Sequence, residues 1–224
     1  MESAVEAIIS PSGNVVAGCA IAINPEKIIK ARNDKDVKKT LMSATIRFAD
    51  GIGVVKTLSR KSNQRVVRIP GCELWEELLK KSTKHQMPVF LVGATTEVLE
   101  QTRIKLTEQY QVNICGTQDG YFNENEEDKV IERIASLEPS IVSVALGSPR
   151  QELFINRCRK KCPKTFFIGV GGTYDVFTNK VKRAPKIFRK LNLEWFYRLA
   201  SQPTRVFRQT NLLKYLYLDM FRRL

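Results

Sequence analysis

Short β-rich runs alternate with stretches of helical spacing along most of this chain, and few folds accommodate that order. Val15–Ile23, Thr45–Ala49, Val89–Val92, Val112–Cys115, Ile141–Leu146 and Thr165–Val170 read as strands. Between them Pro25–Met42, Gly71–Lys84, Glu97–Gln109, Glu126–Leu137 and Arg150–Lys160 carry apolar residues at helical intervals. The alternation predicts an α/β fold: a mostly parallel, Rossmann-like sheet with helices on both faces. With 224 residues, 43% of them apolar, the chain can bury one substantial core. From Pro185 the strand signals stop and the pattern is helical to the end. This divides the chain into an α/β body over residues 1–192 and a helical, basic C-terminal appendage over 193–224.

Charge is unevenly shared between these parts. The segment from Thr178 to Leu224 holds twelve Lys or Arg against Glu194 and Asp219, a net +10 out of the chain's +14. Aromatic residues are threaded between the cations. Such a segment suits a polyanionic surface, either nucleic acid or the anionic face of a membrane. Val206, Thr210, Leu213, Tyr217, Met220 and Leu224 follow helical spacing and form an apolar stripe, with Arg205, Arg208, Lys214, Arg222 and Arg223 at other positions. The stripe fits an amphipathic helix lying on a membrane or a partner, and equally a helix closing the core. No run approaches the roughly 20 apolar residues of a bilayer span, so membrane contact is expected to be peripheral. Glu2, Glu6 and the break at Pro11-Ser12-Gly13-Asn14 do not resemble a signal peptide, so the protein is expected to stay in the cytosol.

Several chemistries find little support. Cys19, Cys72, Cys115, Cys158 and Cys162 are scattered and mostly within apolar runs, as reduced core thiols are. Cys158 and Cys162 lack further ligands nearby, so no metal site is expected. His85, the sole histidine, sits in a polar connector, which disfavours a histidine-based triad. There is no Gly-Lys-Ser/Thr phosphate loop. Gly169-Val170-Gly171-Gly172-Thr173-Tyr174 departs from the dinucleotide fingerprint at its last position and falls late in the chain. Asp34-Lys35-Asp36 has the Asp-x-Asp form that holds a metal on a sugar nucleotide, but within a charged helical segment it reads as solvated surface.

The turns that end the strands are more telling. In chain order they are Asn24-Pro25-Glu26, Asp50-Gly51, Gly93-Ala94-Thr95-Thr96, Gly116-Thr117-Gln118-Asp119-Gly120, Gly147-Ser148-Pro149-Arg150-Gln151-Glu152 and Gly171-Gly172-Thr173-Tyr174-Asp175. A parallel sheet brings its carboxyl ends to one edge, where such folds bind ligands, so these clusters are expected to converge on one cleft. Capping accounts for Thr95 and Ser148-Pro149 and less well for Asn24, Asp50 and Gln151. Glycines such as Gly171 and Gly172 hold phosphates through backbone N–H groups.

Taken in order, Asp50-Gly51, Gly147-Ser148-Pro149-Arg150-Gln151-Glu152, Gly169-Val170-Gly171-Gly172, Arg183-Ala184-Pro185, Glu194-Trp195-Phe196-Tyr197-Arg198 and Gln202-Pro203-Thr204-Arg205 resemble the WecG/TagA/CpsF glycosyltransferase family. The match runs from about Asn14 to the C-terminus. Phe90-Leu91-Val92-Gly93, Gln118-Asp119-Gly120-Tyr121-Phe122 and Gly172-Thr173-Tyr174-Asp175-Val176-Phe177 are most similar to its enterobacterial branch.

The resemblance implies an inverting transfer, without metal or cofactor, from a UDP-activated amino sugar. For that branch the donor sugar is N-acetyl-D-mannosaminuronic acid and the acceptor polyprenyl-diphosphate-linked N-acetylglucosamine, in enterobacterial common antigen synthesis at the cytoplasmic face of the inner membrane. Transfer of N-acetylmannosamine, as in teichoic-acid or capsule synthesis, is the alternative within the family, and a basic nucleic-acid-binding protein the alternative outside it. By similarity Asp50 is the general base, although its position also suits a helix N-cap. Asn24 would touch a sugar, and Arg68 and Gln151 would bind phosphate and sugar. Ala22 stands where the teichoic-acid branch carries Thr. Arg198, Arg205 and Arg208 match the arginines of the family's C-terminal appendage, which are expected to close over the site at an anionic membrane. No nucleic-acid partner is implied.

Overall fold

The computed structural model describes residues 1–190, 194–201 and 206–223. The chain opens with α1 (Glu2–Glu6) and β1 (Gly18–Ile23), then α2 (Pro25–Asn33), α3 (Lys35–Met42), β2 (Ile46–Ala49), α4 (Ile52–Ser62), α5 (Gly71–Thr83) and β3 (Val89–Gly93). It continues through α6 (Thr96–Tyr110), β4 (Ile114–Gln118), α7 (Glu124–Leu137), β5 (Ile141–Ala145), α8 (Arg150–Lys161), β6 (Phe166–Gly169) and α9 (Thr173–Phe177). The C-terminal helices are α10 (Lys186–Lys190), α11 (Glu194–Ser201) and α12 (Val206–Met220).

The six strands form one sheet in the order β2-β1-β6-β5-β3-β4, and every pairing is parallel. Because side chains alternate across a strand, consecutive residues feed two different cores. Phe166 and Ile168 join Trp75, Leu78 and Leu106 on one face, whereas Phe167 joins Phe90, Val144 and Phe154 on the other. β3 and β5 are buried along their whole length, which is why Val89–Val92 is wholly apolar and the one polar side chain of β5, Ser143, is hydrogen-bonded within the core to Trp75 and Tyr174. A third, smaller cluster at the β2 end unites Ile29 of α2, Val54 and Val55 of α4 and Tyr215 of α12.

Two departures from the sequence reading have local causes. The expected helix Pro25–Met42 is broken at Asp34, whose extended backbone and side chain cap α3 by accepting from the N–H groups of Asp36 and Val37. Asp34 is therefore a cap. The other departure is α4, unexpected from the sequence, which starts at the Gly51 cap and ends where Asn63 adopts φ 51.

The apolar stripe on α12 also behaves differently from a core-closing face. Tyr215 is 1% exposed, while Leu213, Tyr217 and Met220 of the stripe are 68%, 52% and 70% exposed. The helix thus docks by another side. The Tyr215 hydroxyl lies 2.7 Å from Thr57 Oγ1, Thr57 donates to Asp219 Oδ1 at 2.7 Å, and Arg60 pairs with the same carboxylate at 2.6 Å.

Candidate active site

The carboxyl ends of β2, β1, β6 and β5 are neighbours in the sheet, and a cleft of about 400 Å³ opens above them, within the range of ligand sites. Asn24, Asp50, Arg68, Gln151, Gly171 and Gly172 all line it. The turns after β3 and β4 do not, since the strand order carries those two to the far end of the sheet. Four of the six turns expected at one cleft meet there. The β4 turn reaches the site only indirectly: Arg150 donates to the carbonyls of Gly120 and Phe122, both at 2.7 Å, and lies over the Phe122 ring.

Asp50 is fixed by its neighbours on β1. Its N–H donates to Ile23 O at 3.1 Å, and a Cβ on Gly51 would come within 2.7 Å of Pro25 Cδ. Only glycine can follow the aspartate this closely under Pro25. The N-cap of α4 is Gly51, with no side-chain capping bond, so capping does not explain Asp50. Arg68 donates through Nε to the Asp50 carbonyl, and its Nη2 lies 3.4 Å from Asp50 Oδ1 and 3.2 Å from Glu194 Oε2. One guanidinium therefore bridges two carboxylates at the cleft mouth.

The opposite wall is set by α8 and the β6 turn. Gln151 is 3% exposed; its Oε1 accepts from Gly171 N–H and its Nε2 donates to Glu152 Oε1, both at 2.9 Å. A Cβ on Gly169 would meet Gln151 Nε2 at 2.8 Å, and Gly171 holds φ +54. The N–H of Gly171 is thus already engaged. The N–H of Gly172 has no protein acceptor among the described residues. Asn24 lines the cleft and caps α2, its Oδ1 accepting from Lys27 N–H at 2.9 Å, and its Nδ2 has no protein acceptor among the described residues. Arg198 and Arg208 lie on α11 and α12 with undescribed side chains, and Arg205 lies outside the described residues.

The site includes residues to which the sequence reading assigned no role. Lys27 lines the cleft and pairs with Glu152 at 2.8 Å, with side chains only 6% and 3% exposed. Glu194, Trp195 and Leu212 bring α11 and α12 to the rim. Cys72 lines it too, but burial pushes its thiol pKa up, opposed by Arg183 and reinforced by Glu194 and Asp50. A protonated thiol is a poor nucleophile. Motif spacing had already drawn Glu152, Glu194 and Trp195 into the resemblance; Lys27 carries no comparable signal.

Among the described residues lining the cleft, four carboxylates (Glu26, Asp50, Asp175, Glu194) stand against three cations (Lys27, Arg68, Lys182). The described part of the site is therefore slightly acidic. It offers the Asp50 carboxylate on one side and the Gly172 N–H on the opposite wall.

The family model described as "Glycosyl transferase WecG/TagA/CpsF family" matches residues 1–224, the entire chain. The chain belongs to the WecG/TagA/CpsF glycosyltransferase family. Its chemistry is therefore glycosyl transfer, and the family implies a sugar-nucleotide donor and a lipid-linked acceptor. In this WecG/TagA/CpsF member no helix of the described residues is long and apolar enough to cross a membrane.

Proposed function

We propose that this glycosyltransferase moves N-acetyl-D-mannosaminuronic acid from its UDP donor to undecaprenyl-diphosphate-linked N-acetylglucosamine, with inversion, at the cytoplasmic face of the inner membrane. The observation that carries the reading is the meeting of Asn24, Asp50, Arg68, Gln151, Gly171 and Gly172 around one cleft, in a chain whose family is known. Asp50 is the general base. As the acceptor oxygen bonds to the anomeric carbon, the bond from that carbon to the diphosphate breaks, UDP leaves with the electron pair, and the hydroxyl proton passes to the Asp50 carboxylate. Asn24 Nδ2 and Gly172 N–H are the donors left to hold sugar and phosphate.

Charge explains why the appendage enters the mechanism. A diphosphate entering a cleft with more carboxylates than cations needs positive charge from elsewhere, all the more as charge builds on the leaving group. Arg198, Arg205 and Arg208 supply it when residues 193–224 fold over the site at the membrane. The exposed Leu213, Leu216, Tyr217, Met220 and Phe221, with exposed Lys214, Arg222 and Arg223 among them, support this membrane role. Each Lys or Arg near an anionic leaflet contributes about 1 kcal/mol.

A thermal-shift panel of UDP-sugars with and without a 6-carboxylate tests the donor, because a ligand of the native state raises its melting temperature with affinity. The largest shift is expected for UDP-N-acetyl-D-mannosaminuronic acid. An equal or larger shift with UDP-N-acetylmannosamine contradicts the uronic-acid assignment.

A further inference from the structure

The Lys27–Glu152 pair is unusual for its depth. Each residue is no more than 5% exposed as a whole. Removing two charges from water is costly, and buried ion pairs are often replaceable by apolar residues without loss of stability. The pair is thus poorly explained as a stabilising device. Its second carboxylate oxygen, Glu152 Oε2, is buried with no hydrogen-bond partner, which adds to the penalty.

Its connections are more informative than its strength. Lys27 is in the first turn of α2, after β1; Glu152 is in the first turn of α8, after β5. Glu152 Oε1 accepts from both Lys27 Nζ at 2.8 Å and Gln151 Nε2 at 2.9 Å. A carboxylate accepts and does not donate, so it requires the NH₂ end of the Gln151 amide to face it. That choice turns the amide oxygen to Gly171 N–H at 2.9 Å, after β6. A reversed amide would set two donors against each other there. Glu152 therefore determines which way Gln151 points, and Gln151 determines where the Gly171–Gly172 turn sits.

We propose that Lys27 and Glu152 are positioning residues that, through the orientation of Gln151, fix the Gly171–Gly172 turn for the diphosphate of the donor. The proposal rests on the donor reading above and extends it from the residues facing the ligand to the ones behind them. Neither residue moves a proton or contacts a reacting atom. Lys27 Nζ lies 2.8 Å from Glu152 Oε1 and holds that oxygen in place beside Gln151.

The test uses the full chain and UDP as the probe. Lys27→Met/Glu152→Leu removes both charges together, so no unpaired charge is left behind and melting is expected near that of the wild type. UDP binding by calorimetry should weaken about tenfold, the effect of losing one well-placed hydrogen bond. Gln151→Met, with the ion pair intact, should weaken it to the same degree. The triple variant should lose no more than either, because all three residues act along one chain of contacts. Lys27→Arg, which retains the cation, should bind UDP as the wild type does. The proposal is overturned if Lys27→Met/Glu152→Leu is folded and binds UDP as tightly as the wild type, or if the losses in the triple variant simply add. Should the double variant not fold, wild-type UDP affinity in Gln151→Met overturns it equally. A wild-type chain that binds no UDP would instead remove the donor reading itself.

Discussion

On the floor of the cleft charged and amide groups are turned inward and paired, Lys27 with Glu152 and Gln151 with Gly171. At the rim of the same cleft, α12 does the reverse. It sends Tyr215 and Asp219 to the body, as partners of Thr57 and Arg60, and leaves Leu213, Tyr217 and Met220 in solvent. Each region inverts the usual placing of polar and apolar groups, and each inversion needs its own explanation. The buried groups are paired with one another, Glu152 Oε2 apart, so the explanation lies in the geometry they impose. For the exposed apolar groups we propose a surface that covers them.

Three substitutions sharpen this contrast. The largest stability effect should come from Lys27→Ala, which leaves Glu152 buried and uncompensated and should destabilise the fold by about 3–5 kcal/mol in denaturant titration. Next is Tyr215→Phe, which withdraws a hydroxyl from Thr57 and should reduce stability by about 1 kcal/mol, with faster hydrogen exchange along α12. The smallest effect is expected for Leu213→Ser/Tyr217→Ser/Met220→Ser. Each exposed change should alter stability by no more than about 0.5 kcal/mol, yet co-sedimentation with anionic vesicles should fall sharply. Undiminished sedimentation would show that this face is not what meets the membrane.

The sequence made some of these features legible and concealed others for physical reasons. The alternation of strand runs such as Val89–Val92 and Ile141–Leu146 with helical spacing disclosed a parallel sheet, whose central strands β3 and β5 are buried on both faces. The Asp50-Gly51 turn was readable because Gly51 has no room for a side chain beneath Pro25. Helix α4 was not, since Ile52-Gly53-Val54-Val55 mixes β-branched residues with a glycine on which a Cβ would come within 3.3 Å of the Tyr215 ring. On α12, periodicity located a stripe but not the face that docks, because docking uses Tyr215 and Asp219, and hydropathy gives an aspartate no weight as a contact. Lys27 carries no signal in the sequence; only its meeting with Glu152 across 125 positions makes the two a buried pair.

The central claim is that Asp50 is the base of an inverting transfer conducted in this cleft. Asp50→Asn preserves shape and removes the proton acceptor, and the decisive quantity is turnover from a UDP-sugar to a polyprenyl-diphosphate-linked acceptor on vesicles. The account predicts a fall of about 10²–10⁴ with UDP affinity and melting temperature retained. Near-normal turnover in that variant would contradict it.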